Sequence, residues 1–275
     1  MDRSLVRAKK LAPHVFLNPE GRDALPSDLV DPEVWHGIMH LPEDVSIRGS
    51  DHEGLRLRLM YQLWGDWLEA IGDPDKPDEL LDCLLEAADC FQGATFNFLH
   101  GHYRTALAEL RTALELVTIG AFGNYYPADP GYVEWKAGES ELFGFTRCRK
   151  RLLGNVKRGQ AKCLFEDDAP LAVTYRKLCN YTHARPDVGY GVLWQSNGPV
   201  YNNDAIRLTF FSGFTVQALC YLLVRLVRPG FAIPEGSELL FELDWMPDHL
   251  PLVRAYTELF GKPSNPPLRE EEGKK

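Results

Sequence analysis

The sequence predicts an all-α protein, a bundle of five or more helices carrying one small β-hairpin. Three observations predict it. Apolar residues recur at helical spacing in several long segments. Clusters of Pro, Gly and Asp separate those segments. A hairpin signal, Asn197-Gly198 between apolar runs, lies within Gly189–Asn203. The chain has 275 residues, 45% hydrophobic and 25% charged, the balance of an ordinary globular protein. That excludes a disordered chain, a collagen-like repeat and a small disulfide scaffold. The length suffices to bury a large core without staples.

Taken in order, residues 1–50 are rich in turn formers and read as an irregular arm with one short helix near Glu33–His40. Gly54–Ile71 reads as a helix, with Leu57, Met60, Leu63, Trp64 and Trp67 close to 3.6 spacing. GDPDKPD, Gly72–Asp78, is a loop. Two long helices follow, Glu79–Phe98 and His102–Ile119, parted near Gly101. In the second, Tyr103, Leu107, Leu110, Leu114 and Val117 make a clean apolar stripe. Phe122–Gly131 reads as a loop and Ser140–Leu153 as another helix. Asp168 reads as the N-cap of Leu171–His183, with Pro170 in the first turn and Pro186 ending the helix. Pro199 removes one donor from the expected hairpin. Asp204 is the expected cap of a long helix ending near Arg228. A short helix is expected over Leu250–Phe260, followed by a disordered tail. The expected organisation is an arm and helix packing on the core over 1–76, a helical bundle over 77–230, and a short helix and tail over 231–275. The helices near 79–98, 102–119, 170–183 and 205–227 should form the core.

Six cysteines, with no CxxC pair, suggest reduced thiols in a cytoplasmic protein. The first residues hold no apolar stretch of signal-peptide length. Leu208–Val227 is about as long as a membrane span but contains Gln217 and Arg225, so it reads as a buried central helix, with no membrane expected.

The phosphate-loop, dinucleotide, nucleophile-elbow and zincin motifs are absent. His36 and His40 share a helical face, but the preferred reading is a surface helix, so no metal and no cofactor is expected. Thirty basic against 39 acidic residues give a net charge of −9, which excludes a bulk nucleic-acid coat. A basic run stands out against this. Between Leu142 and Phe165 lie Arg147, Arg149, Lys150, Arg151, Lys157, Arg158 and Lys162, with no acid. Such a run attracts phosphates, or it is simply a solvated helix face.

The sharpest candidate is Arg176-Lys-Leu-Cys-Asn-Tyr-Thr-His183. Seven residues bring a helix round by about two turns, so Arg176 and His183 share a face. His183 near a helix C-terminus is biased toward imidazolium. A histidine that cycles its proton beside a permanent cation suits phosphodiester chemistry. A second Arg-x6-His, Arg7 to His14, falls in a proline-broken arm.

With its long helices, its late Arg-x6-His and the buried helix that follows, the region of about 77–230 resembles the HEPN superfamily (higher eukaryotes and prokaryotes nucleotide-binding). The resemblance implies a metal-independent endoribonuclease effector of a bacterial defence or toxin-type system. Arg176 and His183 would be catalytic, and Asn180, Tyr181 and Arg185 would position RNA, with Arg147, Arg149, Lys150, Arg151, Lys157 and Arg158 as its wider basic surface. It also implies a homodimer with facing motifs, and a possible protein partner or antitoxin. The family often places Asn, Asp or His directly after the Arg, where this chain has Lys177. The competing expectation is a non-catalytic α-helical module that binds a protein or nucleotide. In that case Arg176 pairs with an acid such as Glu115, and His183 is a satisfied helix-end residue.

Overall fold

The structure, a computed structural model, describes residues 32–72, 78–140, 143–155, 162–182, 199–241, 247 and 249–261. Among them the secondary structure is helical: α1 (Pro32–Ile71), α2 (Leu81–Leu99), α3 (Tyr103–Tyr125), α4 (Pro130–Lys136), α5 (Phe145–Asn155), α6 (Lys162–Phe165), α7 (Pro170–Thr182), α8 (Asn203–Val227), α9 (Glu235–Glu238) with a 3-10 turn over Leu239–Phe241, and α10 (His249–Phe260). No strand occurs among the described residues. Most of the expected hairpin, up to Gly198, lies outside them, and Pro199–Asn202 is not strand.

α3 is the hub. It packs against α2, α8, α7 and α5. Its predicted stripe is buried in full: Tyr103, Leu107, Leu110, Leu114 and Val117. α2 and α3 are joined by His100–His102 alone. Gly101 makes that turn possible, because its φ of +80° is a left-handed value that disfavours side chains. The Tyr103 hydroxyl then ties the turn to the start of α8. It donates to the Val200 carbonyl at 3.0 Å and accepts from the Asn202 amide at 3.3 Å.

α8 is the predicted central helix. It is long and apolar enough to cross a membrane, yet most of it is buried inside the protein. Its cap is Asn202 rather than Asp204. The Asn202 side chain accepts from the amides of Asp204 and Ala205 at 3.1 and 3.0 Å, as an N-cap requires.

α1 is longer than expected. The short helix near 33–40 and the helix over 54–71 are parts of one helical run, kinked at Glu53 (φ −125°, ψ 21°). Tertiary anchors hold the polar stretch between them. Val45 is fully buried, and Ser46 Oγ donates to the Leu99 carbonyl at 2.7 Å. Those contacts override the low helix propensity of Pro42 and Gly49.

The loop expected over 122–131 is only partly a loop. α3 runs on to Tyr125, and Asp129 caps α4, accepting from Gly131 and Tyr132 amides at 3.1 and 3.3 Å. α7 starts at Pro170, so Ala169 takes the cap position assigned to Asp168.

The six cysteines are free. Burial pushes the thiols of Cys83, Cys90 and Cys148 up to about 12 and that of Cys163 up to about 11. These four are small hydrophobes and poor nucleophiles.

Candidate functional site

α7 positions the candidate catalytic arginine. Leu171, Ala172, Thr174 and Leu178 bury one side of the helix. Tyr175 stacks flat on Phe145 of α5, with ring centroids 3.8 Å apart and planes 8° apart. That leaves Arg176 and Lys177 on the exposed side. The guanidinium of Arg176 is steadied from behind, donating from Nη2 to the Asp167 main-chain carbonyl at 2.7 Å. A carbonyl carries no formal charge, so the full cation remains available. Among the described residues Arg176 has no ion pair. The alternative pairing with Glu115 is therefore not made. Glu115 instead acts on Tyr175, whose hydroxyl is pushed up first by burial and then by that carboxylate.

Arg111 on α3 is a residue the sequence did not single out. Its Nε is buried without a hydrogen-bond partner, and among the described residues it makes no ion pair. Its charge pulls the Tyr175 hydroxyl down, against Glu115, so it stands close to the α7 face. An unpartnered buried donor costs about 1–3 kcal/mol, which marks this position as unusual. No linear signal distinguishes Arg111, one of four basic or acidic residues interleaved in an ordinary amphipathic stretch.

Asn180 and Tyr181 follow on α7, both half-buried, with Tyr181 packed against the core edge. His183, Arg185, Lys157 and Arg158 lie outside the described residues. The structure thus places Arg176, Asn180 and Tyr181 on one helix, and His183, Arg185, Lys157 and Arg158 of the expected site are not described.

Three members of the basic run, Arg147, Arg149 and Lys162, pair with acids outside it. Arg149 is only 4% exposed. It donates to the Phe165 carbonyl and pairs with Asp167. It ties α5 to the α6–α7 link and leaves little surface for the RNA contact expected of it. Arg147 pairs with Asp129 at 2.7 Å and lies over the Phe143 ring at 5.0 Å. Arg151 covers the Tyr126 ring at 4.8 Å. Lys150 and Arg151 are exposed and, among the described residues, make no ion pair. The run therefore presents fewer usable charges than its sequence suggests.

These roles separate experimentally. Arg149→Met should cost about 1–3 kcal/mol, because the buried Phe165 carbonyl loses its donor. Arg151→Met should stay within about 0.5 kcal/mol. Urea unfolding of both variants reads the difference, and equal losses would overturn the structural role of Arg149.

His40 meets Glu43 at 3.4 Å, and the side chain of His36 lies outside the described residues. Among the described residues no group of three or more His, Cys, Asp or Glu is placed to hold a metal ion. No protein-family model, no curated protein and no solved structure matches the chain.

Proposed function

We propose that the chain is a metal-independent endoribonuclease effector of a bacterial defence or toxin-type system, acting in the cytoplasm as a homodimer on RNA. The observation that carries this reading is the state of Arg176: exposed, held from behind by a neutral carbonyl, and free of any carboxylate partner among the described residues. An arginine serving only the fold would be spent as Arg149 is.

The chemistry follows the resemblance. The ribose 2′-oxygen attacks the adjacent phosphorus and gives its proton to a base. The bond to the 5′-oxygen breaks, and that oxygen takes a proton, leaving a 2′,3′-cyclic phosphate and a 5′-hydroxyl. His183 serves as acid or base in this exchange. Arg176 stabilises the charge that builds on the phosphorane oxygens, and a preorganised donor is worth most at that point.

The test is cleavage of RNA in EDTA by wild type, Arg176→Ala and His183→Ala, each confirmed as folded. The expected result is cyclic-phosphate ends from wild type and at least a hundred-fold loss in each variant. Equal cleavage by all three would overturn the assignment.

A second reading, a non-catalytic module that binds a protein or nucleotide, is favoured by the pairing of Arg147, Arg149 and Lys162 with acids of the chain itself. It predicts RNA-independent function that survives His183→Ala.

A further inference from the structure

The kink of α1 builds a cleft that has no part in the reading above. At Glu53 the backbone leaves helical geometry, and a cleft of about 920 Å³ opens between Ser50, Asp51, His52, Arg56, Leu59 and Arg207. Glu53 forms its floor and is only 4% exposed. Both carboxylate oxygens are engaged. Oε1 accepts from Arg207 Nε at 3.3 Å, and Oε2 accepts from Arg56 Nη1.

This network sets one buried carboxylate between two guanidinium groups, with Asp51 as a second carboxylate on the cleft lining. Arg207 is its outward member, with a side chain 51% exposed. Its Nε is tied back to the buried carboxylate, which fixes the guanidinium plane. Among the described residues its two terminal nitrogens have no hydrogen-bond or ion-pair partner. A fixed planar fork with free donors is the arrangement that takes an oxyanion on two hydrogen bonds. Beside the cleft, His52 lies 5.8 Å from the Tyr201 ring, and Arg48, which pairs with Asp44 at 3.5 Å, covers that ring at 4.1 Å. Asp51 opposes an anion, but it is exposed and screened by water.

A buried carboxylate clamped by two arginines is a poor way to gain stability, because desolvation cancels most of the attraction. It is an effective way to hold a guanidinium in one orientation. The volume exceeds that of a bare ion and lies in the range of small-molecule sites.

We propose that this cleft binds a phosphate group, free or as a phosphate ester, on the terminal nitrogens of Arg207, with Glu53 as the positioning residue behind it. The proposal stands apart from the ribonuclease reading and does not need it.

The experiment is calorimetric titration of the full chain with pyrophosphate and, separately, with AMP, at low salt. The proteins are wild type, Arg207→Gln, Arg207→Lys and Arg176→Ala, each checked by thermal unfolding. Wild type should bind at least one probe saturably. Arg207→Gln should weaken that binding ten-fold or more. Arg207→Lys should recover only part of it, since it keeps the charge and loses the planar fork. Arg176→Ala should bind as wild type does, which separates this site from the one on α7. The tighter probe identifies the source: pyrophosphate a free inorganic phosphate, AMP a nucleotide ester. No saturable binding by wild type, or unweakened binding by folded Arg207→Gln, would overturn the proposal.

Discussion

Trp67→Ala is expected to destabilise the protein by about 3–5 kcal/mol, the largest single effect the structure supports. Trp67 has no exposed surface. It fixes α1 to two other helices at once. Its indole meets Phe91 of α2 edge-on at 5.2 Å and Tyr221 of α8 at 5.8 Å. Its Nε1 donates to the Leu84 carbonyl at 3.3 Å. The site cannot collapse readily, because Trp67 already borders a small cavity lined also by Met60, Phe98 and Gln217. The Gln217 Nε2 is buried there without a partner. Truncation would enlarge that cavity and lose the area-proportional burial of a large ring. Trp67→Phe should restore part of the loss by keeping the edge-on contacts. Chemical unfolding of both variants reads the effect. A loss below about 1.5 kcal/mol for the alanine variant would mean that α1 is not held through this residue.

Gly101→Ala is expected to cost about 2–4 kcal/mol, from two separable sources. The first is backbone strain at φ +80°. The second is steric. A Cβ at this position would sit 2.8 Å from Pro199 Cα and 3.0 Å from Val200 N, main-chain atoms that cannot swing aside as a side-chain tip can. The segment must then move, and with it the two hydrogen bonds of the Tyr103 hydroxyl. Gly138 supplies the control. Its φ is +73°, and nothing lies within 4 Å of its would-be Cβ. Gly138→Ala therefore carries the strain alone. Thermal unfolding of both variants should show Gly101→Ala as clearly the more damaging, and equal losses would remove the steric argument.

The helices were legible wherever packing demands periodic apolar residues. Expectations over 79–98, 205–227 and 250–260 meet observed helices at Leu81–Leu99, Asn203–Val227 and His249–Phe260. Periodicity failed where a helix is held by something else. Residues 41–53 of α1 show no apolar stripe, and their anchors are Val45, one hydroxyl on Ser46, and the Glu53 network. Asp129-Pro130 looked like loop chemistry and is a helix cap, since the same residues serve both.

The site was legible in one half. Arg176 could be placed on an exposed helix face from its distance to the apolar stripe. The fate of Arg149 could not, because its partners, Phe165 and Asp167, lie 16 and 18 residues away. Charge counted along a run misses acids that folding delivers from outside it. The Glu53 cleft was invisible for the same reason, since Arg207 reaches it across 154 residues of chain.

The hairpin of α2 and α3 has a consequence in time rather than in space. Its two helices make the most extensive contact in the fold and are joined by a link of only His100–His102. Closing so short a loop loses little chain entropy, so this pair can form before anything distant must be found. α8 is the opposite case. Its most extensive contacts, with α3 and α1, lie far back in the chain. The hairpin precedes α8 in synthesis, so its two helices can pair before that apolar segment emerges. The order of the helices along the chain thus shortens the interval in which that segment is bare.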